Sequence, residues 1–285
     1  MTIQRLGVIG GGLMGSGITE VGARSGLSVV TIEVDDDAAK RAADRVEASL
    51  RRAEKRGKLT AADVEQTLER VTFTADLDAV ADRDLVVEAA SEDEQTKLEL
   101  FRRLGSLLES DEAVLASNTS SIPIVKLGAV SGRADRVMGV HFFNPAPVMK
   151  LVELIPSLTT SPETMARMSS FVSDGLGKEP IVATDRAGFV VNSLLVPYLL
   201  SAIRMYEAGY ASASDIDSGM VLGCGHPMGP LALSDLIGLD TVRAIGASMY
   251  DEFKEPLYSP PPLLDRMVDA GLLGKKSGHG FYPYD

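Results

Sequence analysis

The chain has 285 residues, above the roughly 100–200 typical of one domain, so two domains or one large α/β unit is expected. Hydrophobic residues make up 45% and charged residues 24%, which supplies a core and argues against disorder. With 40 acidic and 28 basic residues the formal charge is −12, a field that repels nucleic acid and anionic membrane and removes both as expected partners.

The first predicted strand, Leu6–Ile9, runs straight on from the N-terminus without the longer hydrophobic stretch of a signal peptide. It leads into Gly10-Gly11-Gly12-Leu13-Met14-Gly15 and a helix-compatible segment, Leu13–Arg24. Gly10, Gly12 and Gly15 satisfy G-x-G-x-x-G: the first permits a tight turn, the second lets backbone approach a pyrophosphate, the third allows close helix–strand packing. A second strand, Val29–Ile32, ends in Glu33, where a carboxylate accepts from a ribose 2′-hydroxyl and repels a 2′-phosphate. NAD is therefore expected rather than NADP. The amphipathic segment Ala38–Arg56 carries a basic island, Arg51, Arg52, Lys55 and Arg56, with Lys58 just beyond; it reads as a phosphate site or as a solvated helix face.

Strand Leu85–Val87, helix Gln95–Leu108 and strand Val114–Ala116 follow. After the last of these, Ser117-Asn118-Thr119-Ser120-Ser121 has two readings: helix capping before Pro123, or a hydroxyl, Ser120 foremost, offered to substrate or nicotinamide ribose. Strands Val137–Val140, Leu151–Ile155 and Ile181–Ala183 close the alternating series. The pattern changes near Asp185–Gly188, giving a dinucleotide-binding domain over 1–186 and a helical substrate and dimerisation domain over 187–285. There, Val190–Ala208, Ser214–Leu222, Leu231–Phe253 and Pro262–Ala270 read as helices. The most apolar stretch, Phe189–Leu200, holds Asn192, Ser193 and Pro197; it falls short of the roughly 18 apolar residues of a membrane span and reads as a buried core helix. The expected fold class is α/β: an N-terminal Rossmann-type, mostly parallel sheet with helices on both faces, then an all-α domain. The single cysteine, Cys224, excludes an internal disulfide and thiolate-cluster metal sites; no metal is expected, and the location expected is a reducing cytoplasm.

A nicotinamide enzyme acting on an alcohol needs a proton acceptor, and histidine suits the task. The chain has 3 histidines. His279 lies in a Gly-rich tail and His226 in a Gly/Pro loop, whereas His141 falls at the carboxyl end of a strand, where ligands bind in open α/β sheets. Glu153, in the next strand-like run, can reach it across a short connection, fix its tautomer and stabilise the imidazolium formed on proton uptake.

These motifs, with Glu88-Ala89, His141-Phe142-Phe143-Asn144-Pro145 through Glu153, Gly188-Phe189-Val190-Val191-Asn192, Pro227-Met228-Gly229-Pro230 and Gly274-Lys275-Lys276-Ser277-Gly278, resemble the L-3-hydroxyacyl-CoA dehydrogenases along the whole chain. In length the chain is closest to the bacterial 3-hydroxybutyryl-CoA dehydrogenases. The resemblance implies NAD-dependent, reversible oxidation of a 3-hydroxyacyl-CoA, with His141 as base, Glu153 as its orienting partner, and Ser120 and Asn192 at the reacting end of the acyl group. It implies a dinucleotide site formed by Gly10, Gly12, Leu13, Met14, Gly15, Glu33, Glu92, Lys97, Asn118, Ser120, Asn144 and Lys276. It also implies CoA contacts from Ser49 and Arg56, an acyl cleft between domains, and a homodimer through the helical domain. Three positions depart from the family pattern: Ala187 for a proline, Ser193 for an arginine and His226 for an aromatic residue. A dehydrogenase of a free hydroxy or sugar acid and a nucleotide-binding protein without turnover are the competing functions.

Overall fold

The computed structural model describes residues 2–284; Met1 and Asp285, the ends of the two expected domains, lie outside the described residues. The chain divides into two compact units between Asp185 and Arg186.

The first unit is built on an 8-stranded sheet: β1 (Arg5–Ile9), β2 (Ser28–Ile32), β3 (Val71–Thr74), β4 (Leu85–Glu88), β5 (Val114–Ser117), β6 (Val137–Phe142), β7 (Leu151–Pro156) and β8 (Glu179–Val182). Their order is β3-β2-β1-β4-β5-β6-β7-β8, parallel throughout apart from the antiparallel β6–β7 pair. The helices of this unit are α1 (Leu13–Arg24), α2 (Asp36–Lys55), α3 (Ala61–Leu68), α4 (Glu94–Leu107), α5 (Ile124–Ser131) and α6 (Pro162–Ser170). Parallel strands covered on both faces read as continuous apolar runs, and β4 and β5 are buried at every residue. Helix starts follow local capping chemistry: Asp35 accepts from the Ala38 N–H at 2.7 Å, and Asp93 from the Thr96 N–H at 2.9 Å. Neither β3 nor α3, α5 and α6 was anticipated. β3 is a half-exposed edge strand of 4 residues, too short and too mixed to stand out as an apolar run.

The second unit holds α7 (Val191–Glu207), α8 (Ala213–Cys224), α9 (Pro230–Ile237), α10 (Leu239–Phe253) and α11 (Pro262–Asp269) around its own apolar core. Two expectations need correction. The segment Leu231–Phe253 is not one helix, because Gly238 takes φ +103 and separates α9 from α10. The apolar stretch ending at Leu200 is not uniformly buried: Val196, Leu199 and Leu200 are, but Leu194 is 75% exposed. Two buried carboxylates tie the C-terminal tail down. Asp235 accepts from the Phe281 and Tyr282 N–H groups and from the Tyr284 hydroxyl, and Asp217 from the Leu231 and Ala232 N–H groups and the Tyr282 hydroxyl. Among the described residues no helix is long and apolar enough to cross a membrane.

Candidate active site

Sheet register gathers the chemistry at one edge. Ile9 pairs with Glu88, Glu88 with Ser117, and Ser117 with Gly139, so the residues that follow each strand emerge side by side. Between β1 and β4 the strand order reverses, which is where open α/β sheets receive ligands.

The glycine turn has the geometry its sequence implied. Gly10 takes φ +90, and its N–H donates to the Ile32 carbonyl at 2.8 Å. A Cβ at Gly15 would stand 1.7 Å from the Gly10 oxygen, so α1 packs on the turn only without a side chain there. A Cβ at Gly12 would meet nothing within 4 Å; the space beside it is open. Gly12 is also the N-cap of α1 and supplies no side-chain cap, leaving the first N–H groups of the helix for an anion. A cleft of about 770 Å³, lined among others by Gly10, Gly12, Glu33, Asp76, Ala90 and Arg103, adjoins the turn. Open space at Gly12, uncapped helix amides and a cleft of this size fit a dinucleotide. Glu33 points one carboxylate oxygen, Oε1, at the Gly11 N–H at 2.7 Å. The Gly11 carbonyl in turn accepts from Ser16 Oγ at 2.6 Å and Arg45 Nη1 at 2.5 Å. Leu13 is 65% exposed at the first helical position, and Met14 packs partly buried against the core.

His141 and Glu153 are directly paired across β6 and β7. Neighbouring side chains on one face of an antiparallel pair stand close enough to bond, and here Nδ1 of His141 lies 2.7 Å from Oε2 of Glu153. His141 is 7% exposed and Glu153 fully buried. A carboxylate on Nδ1 holds the tautomer in which Nε2 is the basic nitrogen. Phe143 meets the imidazole edge to face at 4.8 Å between centroids. Asn118 reinforces the strand end, its Oδ1 accepting from the Phe142 N–H at 2.8 Å.

The serine-rich loop after β5 is organised by charge. Glu92 Oε1 accepts from the Thr119 hydroxyl, from the Ser120 N–H at 3.0 Å and from the Ser121 hydroxyl at 2.9 Å. It is the amide of Ser120, not its hydroxyl, that this loop ties down. Burial pushes the Glu92 carboxyl up, but the charge of Lys97 and these hydrogen bonds outweigh it and hold the group below the usual carboxylate range. Lys97 is itself 1% exposed, with Nζ 2.6 Å from Glu88 and 3.2 Å from Glu92. Its ammonium therefore meets two protein carboxylates. Glu88, to which the sequence reading gave no role, is fully buried and also accepts from the Ala90 N–H and the Ser117 hydroxyl. Capping is part of the loop's work: Thr119 Oγ1 accepts from the Ser121 and Ile122 N–H groups at 3.2 and 2.9 Å just before Pro123, while the N–H groups of Ile124 and Val125 at the start of α5 are taken by Asp185. Asn144 is exposed on the connection after β6.

On α2, Arg51 is committed to Glu47, Glu54 and Glu65, so the basic island reduces to Arg52, Lys55, Arg56 and Lys58. Arg45, Ser49, Arg52 and Arg56 follow helical spacing and share one face running out from the glycine turn. In the second unit Asn192 is buried on α7, and Lys276 pairs with Asp240 at 2.5 Å. Among the described residues no group of three or more His, Cys, Asp or Glu is placed to hold a metal ion.

Comparison with known proteins points the same way. A family model described as the NAD binding domain of 3-hydroxyacyl-CoA dehydrogenase matches residues 5–186, and the model of the C-terminal domain of that enzyme matches 188–284. A 3-hydroxybutyryl-CoA dehydrogenase of Mycobacterium tuberculosis is 54% identical over 282 residues, covering 99% of each chain. The human mitochondrial hydroxyacyl-coenzyme A dehydrogenase is 44% identical over 289 residues, covering 99% of this chain and 91% of its own. Among solved structures, M. tuberculosis FadB2 superposes with a TM-score of 0.99 at 53% identity, and the (S)-3-hydroxybutyryl-CoA dehydrogenase of Ralstonia eutropha with 0.93 at 44%; both matches cover 100% of each chain.

Proposed function

This chain belongs to the 3-hydroxyacyl-CoA dehydrogenase family, NAD-dependent oxidoreductases, and we propose that it interconverts (S)-3-hydroxyacyl-CoA and 3-oxoacyl-CoA thioesters, with the four-carbon 3-hydroxybutyryl group as its main substrate. The observation that carries the reading is the buried His141–Glu153 pair at the sheet edge that also bears the glycine turn.

NAD, when bound, accepts the hydride from the hydroxyl-bearing carbon. His141 takes the hydroxyl proton at Nε2 as that hydride leaves, and Glu153 stabilises the imidazolium that results. Help of this kind is worth about 10²–10⁴-fold in rate. Gly10, Gly12, Leu13, Met14 and Gly15 would form the pyrophosphate cradle, and the Glu33 carboxylate would accept from the adenosine ribose. Glu92 sets the loop that presents Ser120 to the reacting end of the acyl group. Lys97 keeps Glu92 ionised, and Asn118 and Asn144 complete the nicotinamide side. Ser49 and Arg56 bind the adenosine phosphates of CoA. For Asn192 and Lys276, in the second unit, roles at the acyl group and the dinucleotide are proposed on family membership. The protein acts as a cytoplasmic homodimer; exposed Leu194, Tyr210, Leu222 and Leu236 on the helical unit supply apolar surface for that contact.

The test is NADH oxidation by purified protein with acetoacetyl-CoA, run beside longer 3-oxoacyl thioesters and free 3-oxo acids. Turnover is expected to be fastest with the four-carbon thioester and to require NADH over NADPH. A folded protein that binds NADH yet converts no thioester overturns the assignment.

A further inference from the structure

Lys178 is a buried cation that the reaction just described does not use. It is 8% exposed, stands immediately before β8, and its side-chain hydrogen bonds go to backbone carbonyls. Burial, and then the charge of Arg24, hold its pKa below the ordinary lysine value. An ammonium is costly to bury unless it is hydrogen-bonded. Its contacts show what the charge does. Nζ donates to the Ala146 carbonyl at 2.8 Å and to the Met149 carbonyl at 2.7 Å.

Both carbonyls belong to the turn that joins β6 to β7, the strands of His141 and Glu153. The turn follows Asn144 and closes on itself, with the Val148 and Met149 N–H groups donating to the Pro145 carbonyl at 2.9 and 3.0 Å. The turn also rests on α1: a Cβ at Gly17 would lie 3.0 Å from Ala146 Cβ and 3.5 Å from Pro147 Cδ. The ammonium thus binds leftover carbonyls of a short turn, a favourable place for a cation, and holds that turn against the helix that opens the dinucleotide cradle.

We propose that Lys178 is a positioning residue for the dehydrogenase reaction, pinning the 145–149 turn so that the His141–Glu153 hairpin keeps a fixed placement relative to α1. This rests on the reaction assigned above. Misplacement of reacting groups by about 1 Å costs as much as 10²-fold, whereas cofactor affinity, set at the glycine turn, has no reason to follow.

The experiment compares wild type, Lys178→Met, Lys178→Gln and Gly17→Ala by NADH fluorescence titration, steady-state turnover of acetoacetyl-CoA and amide hydrogen exchange. Lys178→Met is expected to fold, to bind NADH within about twofold of wild type, and to lose about tenfold or more in kcat. The Val148 and Met149 amides should exchange faster in it. Lys178→Gln, which retains two N–H donors, should recover part of the lost rate. Gly17→Ala, which pushes the same turn from the α1 side, should lower kcat with Lys178 in place, and it carries the test if Lys178→Met does not fold. Wild-type kcat in either Lys178→Met or Gly17→Ala overturns the proposal, as does a parallel loss of kcat and NADH affinity in Lys178→Met. If wild type itself converts no thioester, the reaction assignment falls and takes this role with it; an active wild type with an unaffected Met variant removes only the role of Lys178.

Discussion

Replacing Glu153 by glutamine isolates the charge in the His141–Glu153 pair. The two side chains are nearly isosteric, so the fully buried site keeps its packing, and only the carboxylate facing Nδ1 at 2.7 Å is lost. A hydrogen bond to an ionised partner contributes about 1.5–3 kcal/mol, and each 1.36 kcal/mol is a decade in rate, so losing the charge alone costs about 10- to 100-fold. A second effect adds to the first. The glutamine amide can donate to Nδ1 and so favour the tautomer with the proton on Nε2, which leaves the imidazole unable to accept from a hydroxyl. In the serine-protease triad the corresponding change costs about 10⁴, which sets the ceiling. Glu153→Gln should therefore lower kcat by about 10²- to 10⁴-fold while NADH affinity, set at the glycine turn, stays within about twofold. Stopped-flow loss of NADH absorbance with acetoacetyl-CoA, beside an NADH fluorescence titration, measures both. A folded Glu153→Gln enzyme within about threefold of wild-type kcat would show that the imidazole needs no carboxylate to work.

Changing Arg52, Lys55 and Arg56 together to alanine should raise KM for acetoacetyl-CoA about three- to a hundredfold, at about 0.2–1 kcal/mol for each exposed charge, and leave KM for free 3-oxo acids and NADH alone. An unchanged thioester KM would make this face of α2 a solvated surface only. Glu92 titrates in the folded protein below its ordinary range, so its contribution to stability is fully present above that range and disappears as pH falls through the lowered value. Urea unfolding between about pH 3 and about pH 6 should show wild type losing more stability in acid than Glu92→Gln, and parallel curves would refute this. Burial, reinforced by the hydrogen bond to Asp235, pushes the Tyr284 hydroxyl up to about 12, and Tyr282 beside Asp217 is raised as well. Raised values mean stability that is complete below the ordinary tyrosine pKa and lost as pH rises through the folded one. Of the 7 tyrosines, these two should be the last to give tyrosinate absorbance, and Asp235→Asn should bring Tyr284 back toward the others. A single transition for all of them would mean that the tail is not clasped.

Most strands that sequence alone revealed are buried by the sheet on both sides; β8, a half-exposed edge strand, is the exception, marked by Ile181 and Val182. Val114 to Ala116 and Val137 to Val140 are continuous apolar runs because helices cover both of their faces, and that burial leaves its mark on composition. β3 needs no such run, since Val71-Thr72-Phe73-Thr74 sits at an edge with most of its residues half-exposed. The break between α9 and α10 was hidden for a related reason. Apolar spacing continues through Ile237, Leu239 and Val242, and only the φ +103 at Gly238 reveals that the axis changes there. α5 and α6 are short, one following Pro123 and the other beginning at Pro162, so their periodicity spans too few turns to register.

In the site, the candidate residues with a familiar motif were legible and the residues that brace them were not. His141 and Glu153 could be paired from spacing because a short antiparallel connection brings close positions face to face. Glu88 could not, because its partners at 97 and 117 arrive through strand register and a neighbouring helix. Glu33 shows the same division within one side chain. Its place after β2 announced a carboxylate for the ribose, but Oε1 is taken by the Gly11 N–H, a donor that any residue in that position of the turn would supply and that no side-chain pattern marks. The same carboxylate thus braces the glycine turn and is the group proposed for the ribose. Exchanging Glu33 for a small residue, to relieve repulsion of a 2′-phosphate, also releases the Gly11 N–H and loosens the cradle on which both cofactors depend. Cofactor choice and turn geometry are therefore coupled through one charge, so a glutamine that still accepts from Gly11 is the substitution that separates them.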